Sequence, residues 1–346
     1  MHTIRFGLIG YGAWGAHHAR AMKTCDRARL AAIAVPSEAS QARARADHPE
    51  AAVTGDYRAL LARDDVDAVD IVLPSHLHVE AALAALESGK HVLLEKPMAL
   101  GVGDCDRLIA AAESRGLVLA VGHELRLSSL WGQVRELIDA GAIGVPRYVL
   151  IELWRKPYRL GADGWRYDLD RVGNWILEEP IHFFDLARWY LASCGEPESV
   201  YAVSSAKRAD RPELEDNFSA TLRFPGGAYA VISQSLAGWE HHQIAKVTGT
   251  AGAVWAAWSG ALDRTFHPTY SLRLQREGGE VEELAVPRIP GEVYELEDEI
   301  ARFVAAVAGE ARPAADGRDG RWSVALCAAA AESARRGAVV RLDGRT

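Results

Sequence analysis

The sequence predicts an α/β protein with two domains: a doubly wound parallel sheet over residues 1–122, then an α/β domain over residues 123–346 with an open, mostly antiparallel sheet. In the first third of the chain, short apolar runs alternate with helix-length segments, which is typical of parallel strands joined by helices. In the second half, alternating runs follow one another without helices between them, which favours an antiparallel sheet. A length of 346 residues also suits two domains better than one.

The chain opens with the pattern of strand, glycine turn, helix and strand. An apolar run over residues 4–10 leads into the turn G-Y-G-A-W-G, and a helix-compatible stretch and a second apolar run over residues 30–35 follow. Here the first glycine allows a tight turn, the second lets the backbone approach a pyrophosphate, and the third lets helix and strand pack closely. The free N–H groups at the helix start would bind the phosphates, whereas the alternative is a purely structural turn. The residues predicted at this cofactor site are Gly10, Gly12, Ala13, Trp14 and Gly15.

The end of the second strand bears on which dinucleotide binds. An acidic residue there would hold the ribose 2′-hydroxyl of NAD, but this position is Val35. Without the acid a 2′-phosphate is not repelled, and the hydroxyl of Ser37 could hydrogen-bond to it. Glu38 argues the other way, and the nearest arginines, Arg43 and Arg45, lie a turn or more into the next helix. The expected cofactor is NAD(P), and the sequence favours NADP.

The alternation of strands and helices continues to residue 122. Residues 70–73, 90–97 and 117–122 are predicted strands, residues 79–88 are a predicted helix, and Gly89 is its C-terminal cap. Ligands of such sheets bind beyond the carboxyl ends of the strands. The residues predicted at this edge, in addition to the glycine turn, are Pro74, Ser75, His78, Glu95 and Lys96.

The second half contains runs typical of strands and two helical segments. The predicted strands cover residues 147–154, 200–204, 217–224, 228–236 and 243–248. Pro225–Gly227 lies between two alternating runs and predicts a hairpin. Residues 293–308 and 322–336 are predicted helices, the second of which is expected to return to the first domain.

Composition narrows the class of protein. Hydrophobic residues make up 49% and charged residues 25%, which argues against a disordered or fibrous chain. The longest apolar run covers residues 324–331, whereas a membrane span needs about 20, and no secretory signal is visible. The net charge of −8 argues against a nucleic-acid partner.

The cysteines and histidines indicate neither a disulfide framework nor a metal site. No C-x-x-C spacing occurs among Cys25, Cys105, Cys194 and Cys327, which is typical of reduced thiols in the cytoplasm. The two histidine pairs of the chain are adjacent residues, not the i, i+4 ligands of a helical zinc site. We therefore expect a cytoplasmic protein without a metal ion.

Four stretches of this chain resemble the Gfo/Idh/MocA oxidoreductases, a family named for glucose–fructose oxidoreductase, inositol dehydrogenase and a rhizopine-catabolism protein. They are the glycine turn at residues 10–15, residues 66–78, the segment G-K-H-V-L-L-E-K-P at residues 89–97 and residues 172–185. The resemblance covers nearly the whole chain. It implies a Rossmann domain, a C-terminal domain with an open sheet, and reversible oxidation of a sugar or cyclitol carbon by NAD(P). A homodimer or homotetramer is expected.

The resemblance also implies roles for single residues. The family's lysine in E-K-P corresponds to Lys96, its histidine to His182, and the aspartate four residues earlier to Glu178. The pair Glu178 and Glu179 stands where one aspartate is expected, and Pro180 stands where a glycine is common. A carboxylate is thus retained on a longer side chain. Family members often have a cis bond between this lysine and the proline that follows.

The segment between residues 153 and 190 is rich in aromatic and basic side chains. Aromatic faces and guanidinium groups suit a sugar ring, or a substrate that carries a carboxylate or a sulfonate. The alternative is that most of the tryptophans are core residues and the arginines solvated. Two further candidates, His123 and Arg126, follow the strand that ends at residue 122. The predicted substrate-binding residues are therefore His123, Arg126, Trp154, Tyr158, Trp165 and Glu179.

Oxidation of an alcohol requires a base for the hydroxyl proton while a hydride passes to the nicotinamide. A lysine can act as this base when burial or a nearby cation lowers its pKa, and a histidine is near neutrality already. We expect Lys96 and His182 to serve one hydroxyl, with Glu178 orienting the histidine. The structural alternatives are a surface lysine, and a histidine at a helix start that is capped by Asp185.

Three functions of different class fit this pattern. The first is an NAD(P)-dependent sugar or polyol dehydrogenase, which the retained Lys96 and His182 favour; reduction of an imine or an unsaturated ring would change only its substrate. The second is a hydrolase or lyase in which bound NAD oxidises a glycoside transiently. The third is a dinucleotide-sensing binding protein without catalysis.

Overall fold

The computed structural model describes residues 3–157, 161–206, 215–236, 238–262 and 264–342, and the chain divides into two compact units. The first unit comprises Met1–Glu124, Asp170–Gly173 and Leu296–Val324. The second comprises Leu125–Leu169, Asn174–Glu295 and Ala325–Thr346. The first unit thus takes in two later segments that the predicted boundary at residue 122 assigns to the second domain.

The first unit contains a parallel sheet with, in the described residues, six strands in the order β3-β2-β1-β4-β5-β6. The strands are β1 (Ile4–Ile9), β2 (Ala28–Ala34), β3 (Ala52–Thr54), β4 (Ala68–Ile71), β5 (His91–Glu95) and β6 (Leu119–Gly122). The helices that alternate with them are α1 (Ala13–Thr24), α2 (Glu38–Asp47), α3 (Tyr57–Leu61), α4 (His78–Glu87) and α5 (Val102–Glu113). Strands such as β4 and β5 are almost wholly buried, as expected for a sheet covered on both faces.

The strand order determines where a ligand can bind. Strands β1 and β4 are neighbours in the sheet although two strands separate them in the chain, so the winding reverses between them. Ligands of doubly wound sheets bind beyond the carboxyl ends of the strands at this reversal. The glycine turn after β1 and the loop after β4 both lie at that edge.

The second unit contains a mixed sheet with nine strands in the described residues, ordered β14-β13-β12-β11-β7-β10-β9-β8-β15. Its neighbours pair antiparallel except β7 and β10, which are parallel. The strands are β7 (Pro146–Trp154), β8 (Ser199–Ser205), β9 (Asn217–Arg223), β10 (Tyr229–Ser235), β11 (His241–Gly249), β12 (Gly252–Gly260), β13 (Thr269–Arg276), β14 (Val281–Leu284) and β15 (Val340–Arg341). The predicted hairpin at Pro225–Gly227 is confirmed, since β9 and β10 pair antiparallel across it.

The remaining helices are α6 (Trp131–Asp139), α7 (Leu169–Val172), α8 (Pro180–Tyr190), α9 (Glu292–Val307) and α10 (Gly317–Arg336). Most of α9 belongs to the first unit, where Phe303 lies 5.7 Å from Phe6 of β1, ring centre to ring centre. The division between the units runs through α10, which passes from the first to the second after Val324. The predicted fold class, a parallel sheet followed by a mostly antiparallel one, is confirmed. In the part of the chain described here, no helix combines the length and apolar character that a membrane span requires.

Candidate functional site

The three glycines of the turn after β1 differ in what surrounds them. Gly10 has a φ of +105°, and a Cβ there would lie 2.1 Å from the carbonyl oxygen of Val72. A Cβ on Gly15 would lie 2.1 Å from the carbonyl oxygen of Gly10, so both positions exclude a side chain for internal reasons. A Cβ on Gly12 would meet nothing within 4 Å. The open space at Gly12, at the start of α1, fits a pyrophosphate held by backbone N–H groups.

A mostly apolar cavity of about 320 Å³ lies at the same edge of the first unit. It is bounded by the ends of β1, β2 and β4 and by the start of α3 and α4. Its size and apolar walls suit a flat ring system such as an adenine. The lining includes Ile9, Val35, Pro36, Tyr57, Leu73 and Leu77.

Two polar residues after β2 differ in what they contact. The Ser37 hydroxyl accepts a hydrogen bond from the N–H of Ser40 at 3.3 Å and caps α2. Arg43, one turn further, donates to the carbonyl oxygen of Tyr11 at 2.5 Å and lies over the Tyr11 ring, 5.0 Å from its centre. No local pattern predicts that Arg43 reaches the turn, because the rotation of α2 that directs this side chain inward depends on how the helix packs.

A buried polar network lies beneath the turn and joins α1 to β4 and β5. The imidazole of His18 has Nδ1 2.8 Å from a carboxylate oxygen of Asp70 and Nε2 3.1 Å from Oε1 of Glu95. The indole of Trp14 donates to the same oxygen of Glu95 at 2.8 Å, and the second oxygen accepts from the backbone N–H of Lys96 at 3.1 Å. Glu95 therefore connects the first helix to the backbone of the predicted catalytic lysine.

Protonation in this network follows from burial and from the neighbouring charges. Burial lowers the pKa of His18, but the charge of Asp70 and the hydrogen bonds with both carboxylates raise it well above its usual 6.5. Burial raises the pKa of Asp70. For Glu95 the effect of burial is exceeded by the hydrogen bond and charge of His18 and by the charge of Lys96, so its pKa falls to about 2. At neutral pH the network thus contains an imidazolium and the carboxylate of Glu95.

The loop after β4 contains the other residues predicted to contact the cofactor. Pro74 precedes a 3₁₀ turn, and Ser75 is buried at its start. Both ring nitrogens of His78 lie on backbone carbonyl oxygens, at 2.7 Å from that of Pro97 and 2.8 Å from that of Leu73. The side chain of His78 thus joins the loops after β4 and β5, and its predicted contact with the cofactor stays a prediction. The bond between Lys96 and Pro97 is cis.

In the second unit, His182 lies buried in the first turn of α8, which begins at Pro180. Arg126 donates two hydrogen bonds of 2.7 Å to Asp185 of the same helix, and both side chains are buried. The Arg126 guanidinium also lies 5.4 Å from the ring centre of Trp189. The guanidinium of Arg126 thus forms an internal ion pair, and its predicted contact with the substrate stays a prediction.

The two adjacent glutamates before α8 have different partners. The carboxylate of Glu178 lies 3.7 Å from Nε of Arg166. The carboxylate of Glu179 contacts the guanidinium of Arg155 and lies 3.7 Å from Nε2 of His241. Both glutamates are buried, and the predicted substrate contact of Glu179 stays a prediction.

The other predicted substrate-binding residues lie in different surroundings. Trp154 ends β7 with 51% of its surface exposed, which excludes a core role for it. Trp165 is half-buried, with the guanidinium of Arg166 5.4 Å from its ring centre. His123 follows β6 in the first unit and is buried. Tyr158 lies outside the described residues.

Over the residues that the structure describes, histidine, cysteine, aspartate and glutamate side chains form no group able to hold a metal ion.

A parallel sheet with a glycine turn open at Gly12, an apolar cavity beside it and a lysine after β5 defines the first unit as a dinucleotide-binding domain. Two family models match this chain: the NAD-binding Rossmann-fold oxidoreductase family GFO_IDH_MocA over residues 4–123, and the GFO/IDH/MocA C-terminal domain over residues 131–255.

Relatives span most of the chain. A 1,5-anhydro-D-fructose reductase of Ensifer adhaerens is 30% identical over 82% of both chains, and a myo-inositol 2-dehydrogenase of Thermotoga maritima is 29% identical over 98% of this chain and 99% of the relative. The structure of the WlbA dehydrogenase of Bordetella pertussis, solved with NADH and UDP-GlcNAcA, superposes with a TM-score of 0.78 at 26% identity over 99% of each chain. The chain belongs to the Gfo/Idh/MocA family and is an NAD(P)-binding oxidoreductase.

Proposed function

We propose that this protein is a dehydrogenase or reductase that transfers a hydride between NAD(P) and a hydroxyl-bearing carbon of a sugar, sugar derivative or polyol. The observation that carries the proposal is the Glu95-Lys96 pair at the end of β5. The network of His18 and Glu95 anchors the backbone of Lys96 at the ligand edge of the sheet. The relatives named above act on a sugar derivative and on a cyclitol.

In this proposal the nicotinamide accepts the hydride, and the protein has to manage the proton of the hydroxyl group. Lys96 and His182 serve as the acid and base for that proton. Glu178, four residues before His182 at the entry of α8, orients the histidine. Gly12 and the N-terminal N–H groups of α1 hold the pyrophosphate.

We further propose a preference for NADP over NAD. The end of β2 carries no carboxylate at Val35, and Arg43 brings a guanidinium to the carbonyl oxygens of the glycine turn. In folds of this kind an arginine near the ribose accommodates the 2′-phosphate. Glu38, at the start of α2, opposes this preference by its charge.

A cytoplasmic location and a homodimer or homotetramer complete the proposal. Size-exclusion chromatography with light scattering measures the oligomeric state directly.

The experiment that tests the activity is mass spectrometry of nucleotide that copurifies with the protein, followed by a screen of sugars and polyols at the absorbance of the reduced nicotinamide. Net formation or consumption of reduced cofactor supports the proposal. Tightly retained NAD with cleavage of a glycoside and no net reduction would assign the hydrolase or lyase mechanism instead. Nucleotide binding with no turnover of any compound would favour the dinucleotide sensor.

A further inference from the structure

A second cavity, of about 60 Å³, lies within the second unit. Pro157 and Leu262 contribute apolar surface to its wall. The polar side chains that line it, among the described residues, are all basic: Arg155, Lys156, Arg166, His241 and Arg264.

Each arginine of this cavity has a glutamate beside it. The pairs are Arg155 with Glu179, Arg166 with Glu178, and Arg264 with Glu292. In the last two pairs the nearest nitrogen and oxygen lie 3.7 Å apart, which is longer than a hydrogen bond. Glu178 and Glu292 thus restrain Arg166 and Arg264 without forming bidentate hydrogen bonds to their guanidinium groups. A guanidinium carries five N–H donors, so such a group can also bind a second anion.

Lys156 adds a further cation to the cavity. Its ammonium group lies 3.5 Å from the carbonyl oxygen of Ala261, at the limit of hydrogen bonding, and the residue is exposed. Four permanently cationic side chains of the lining therefore face the three glutamates named above. Among these described residues the balance is positive, so an anion entering the cavity is attracted.

The cavity is connected to the start of α8. Glu179 contacts Arg155 through one carboxylate oxygen, and the other oxygen lies 3.7 Å from Nε2 of His241. The backbone carbonyl oxygen of Glu179 accepts a hydrogen bond from the N–H of His182 at 3.1 Å. One residue therefore links the cationic lining to the backbone of the proposed catalytic histidine.

Aromatic groups lie next to the charged ones. The ring of His241 meets Trp258 edge to face, with centres 5.3 Å apart, and Arg166 lies over the ring of Trp165. Flat apolar faces beside fixed cations suit a ring that carries an anionic substituent.

From this geometry we infer that the cavity binds an oxyanion substituent of the substrate, a carboxylate or a sulfonate, so that the enzyme acts on an acidic sugar derivative in preference to a neutral one. The inference rests on the proposed function, since it names the substrate class of that activity. Both groups carry one negative charge and accept several hydrogen bonds from guanidinium and ammonium donors.

The test compares D-glucuronate, a hexose 6-sulfonate and D-glucose as substrates of the intact protein with NAD(P). Lys156→Met and Arg264→Gln each remove one cation of the lining. We expect the KM for the acidic substrate to rise roughly 10–100-fold in either variant, as for loss of a hydrogen bond to a charged group, with little change in kcat. Whichever acid responds identifies the anion. Lys246→Met is the matched control. Lys246 is a residue of β11 that lies against Trp255 of β12, and it does not line the cavity.

Turnover of D-glucose equal to that of both acids, with unchanged KM values in Lys156→Met and Arg264→Gln, would overturn the inference and leave the proposed function standing. If the whole screen of sugars and polyols shows no turnover although the nucleotide binds, the proposed function fails, and calorimetry with the two acids decides the site. Binding that weakens at least tenfold in Lys156→Met then supports an anion site, and absence of binding to the unaltered protein overturns it. Thermal unfolding of each variant verifies that the fold is retained.

Discussion

His18 of α1 and Glu95 of β5, separated by 77 residues in the chain, lie 3.1 Å apart from Nε2 to Oε1 in the interior of the first unit. His18 also contacts Asp70, so one imidazolium lies between two buried carboxylates. A buried charge that loses its partner is strongly destabilising. This arrangement gives the first two predictions.

Replacement of His18 by glutamine should lower the free energy of unfolding by about 3–5 kcal/mol, because the buried carboxylate of Glu95 then lacks its cation. Urea unfolding followed by circular dichroism measures the loss. His17→Gln is the matched control, since His17 is the adjacent residue of the same helix and is only half-buried. Equal stability of His18→Gln and His17→Gln would show that the imidazolium does not bind the carboxylates.

The pH dependence of stability should differ between the unaltered protein and His18→Gln. The pKa of His18 is raised in the folded state, so its contribution is complete below its ordinary pKa of 6.5 and is lost as the pH rises through the folded value. The pKa of Glu95 is lowered to about 2, so its contribution is complete above its ordinary 4.5 and is lost as the pH falls through about 2. The stability gap between the two proteins should therefore shrink in alkali. A gap that stays constant between pH 6 and pH 10 would contradict a protonated His18.

Gly12 and Gly15 should respond differently to substitution. A side chain at Gly12 enters open space and its backbone is extended, so Gly12→Val should fold normally but lose NAD(P) binding by several kcal/mol in calorimetry. Gly15→Ala places a Cβ 2.1 Å from the carbonyl oxygen of Gly10 and should lower the thermal midpoint. Unchanged nucleotide affinity in Gly12→Val would exclude a pyrophosphate at this turn.

Arg43 should determine the preference between NADP and NAD. Arg43→Gln removes the guanidinium at the glycine turn and should weaken NADP binding roughly tenfold, about 1.4 kcal/mol, with little effect on NAD. Arg45→Gln is the control, because Arg45 donates to Gln41 on the exposed part of the same helix. Binding of NAD more than about tenfold tighter than NADP by the unaltered protein would contradict the proposed preference.

The sequence was sufficient to predict the first sheet, apart from its short edge strand β3, and its ligand edge, because buried parallel strands produce continuous apolar runs and the glycine spacing is local. It did not predict β12 or β15, nor β13 and β14, where exposed polar side chains obscure the alternation of residues. The partners of buried charges were also out of reach. Arg126 and Asp185 lie 59 residues apart in the chain, so their pairing depends on packing that no local pattern reports.

The sequence also predicted helix α9 from its pattern of apolar residues. It did not predict the sheet against which this helix packs. Its apolar residues fit either unit, and packing contacts such as that of Phe303 with Phe6 place most of the helix in the first. The sequence places Arg43 near the turn, but whether its side chain reaches the glycines depends on the packing of α2.

The catalytic assignment gives the last prediction. Removal of a positioned acid or base typically costs roughly 10²–10⁴ in rate, so Lys96→Ala and His182→Ala should each lower kcat by that order. Dinucleotide affinity should stay nearly intact in both, since the glycine turn holds the phosphates. The double variant should lose far less than the product of the two effects, because both residues serve one proton transfer. Glu178→Gln retains shape and removes charge, and should lower kcat and move the pH profile if this carboxylate orients His182. Glu179→Gln is its neighbour control and should mainly reduce stability, because Glu179 is paired with Arg155. A larger effect on kcat from Glu179→Gln would transfer the orienting role by one residue. Loss of less than about tenfold in kcat for both Lys96→Ala and His182→Ala would refute the mechanism.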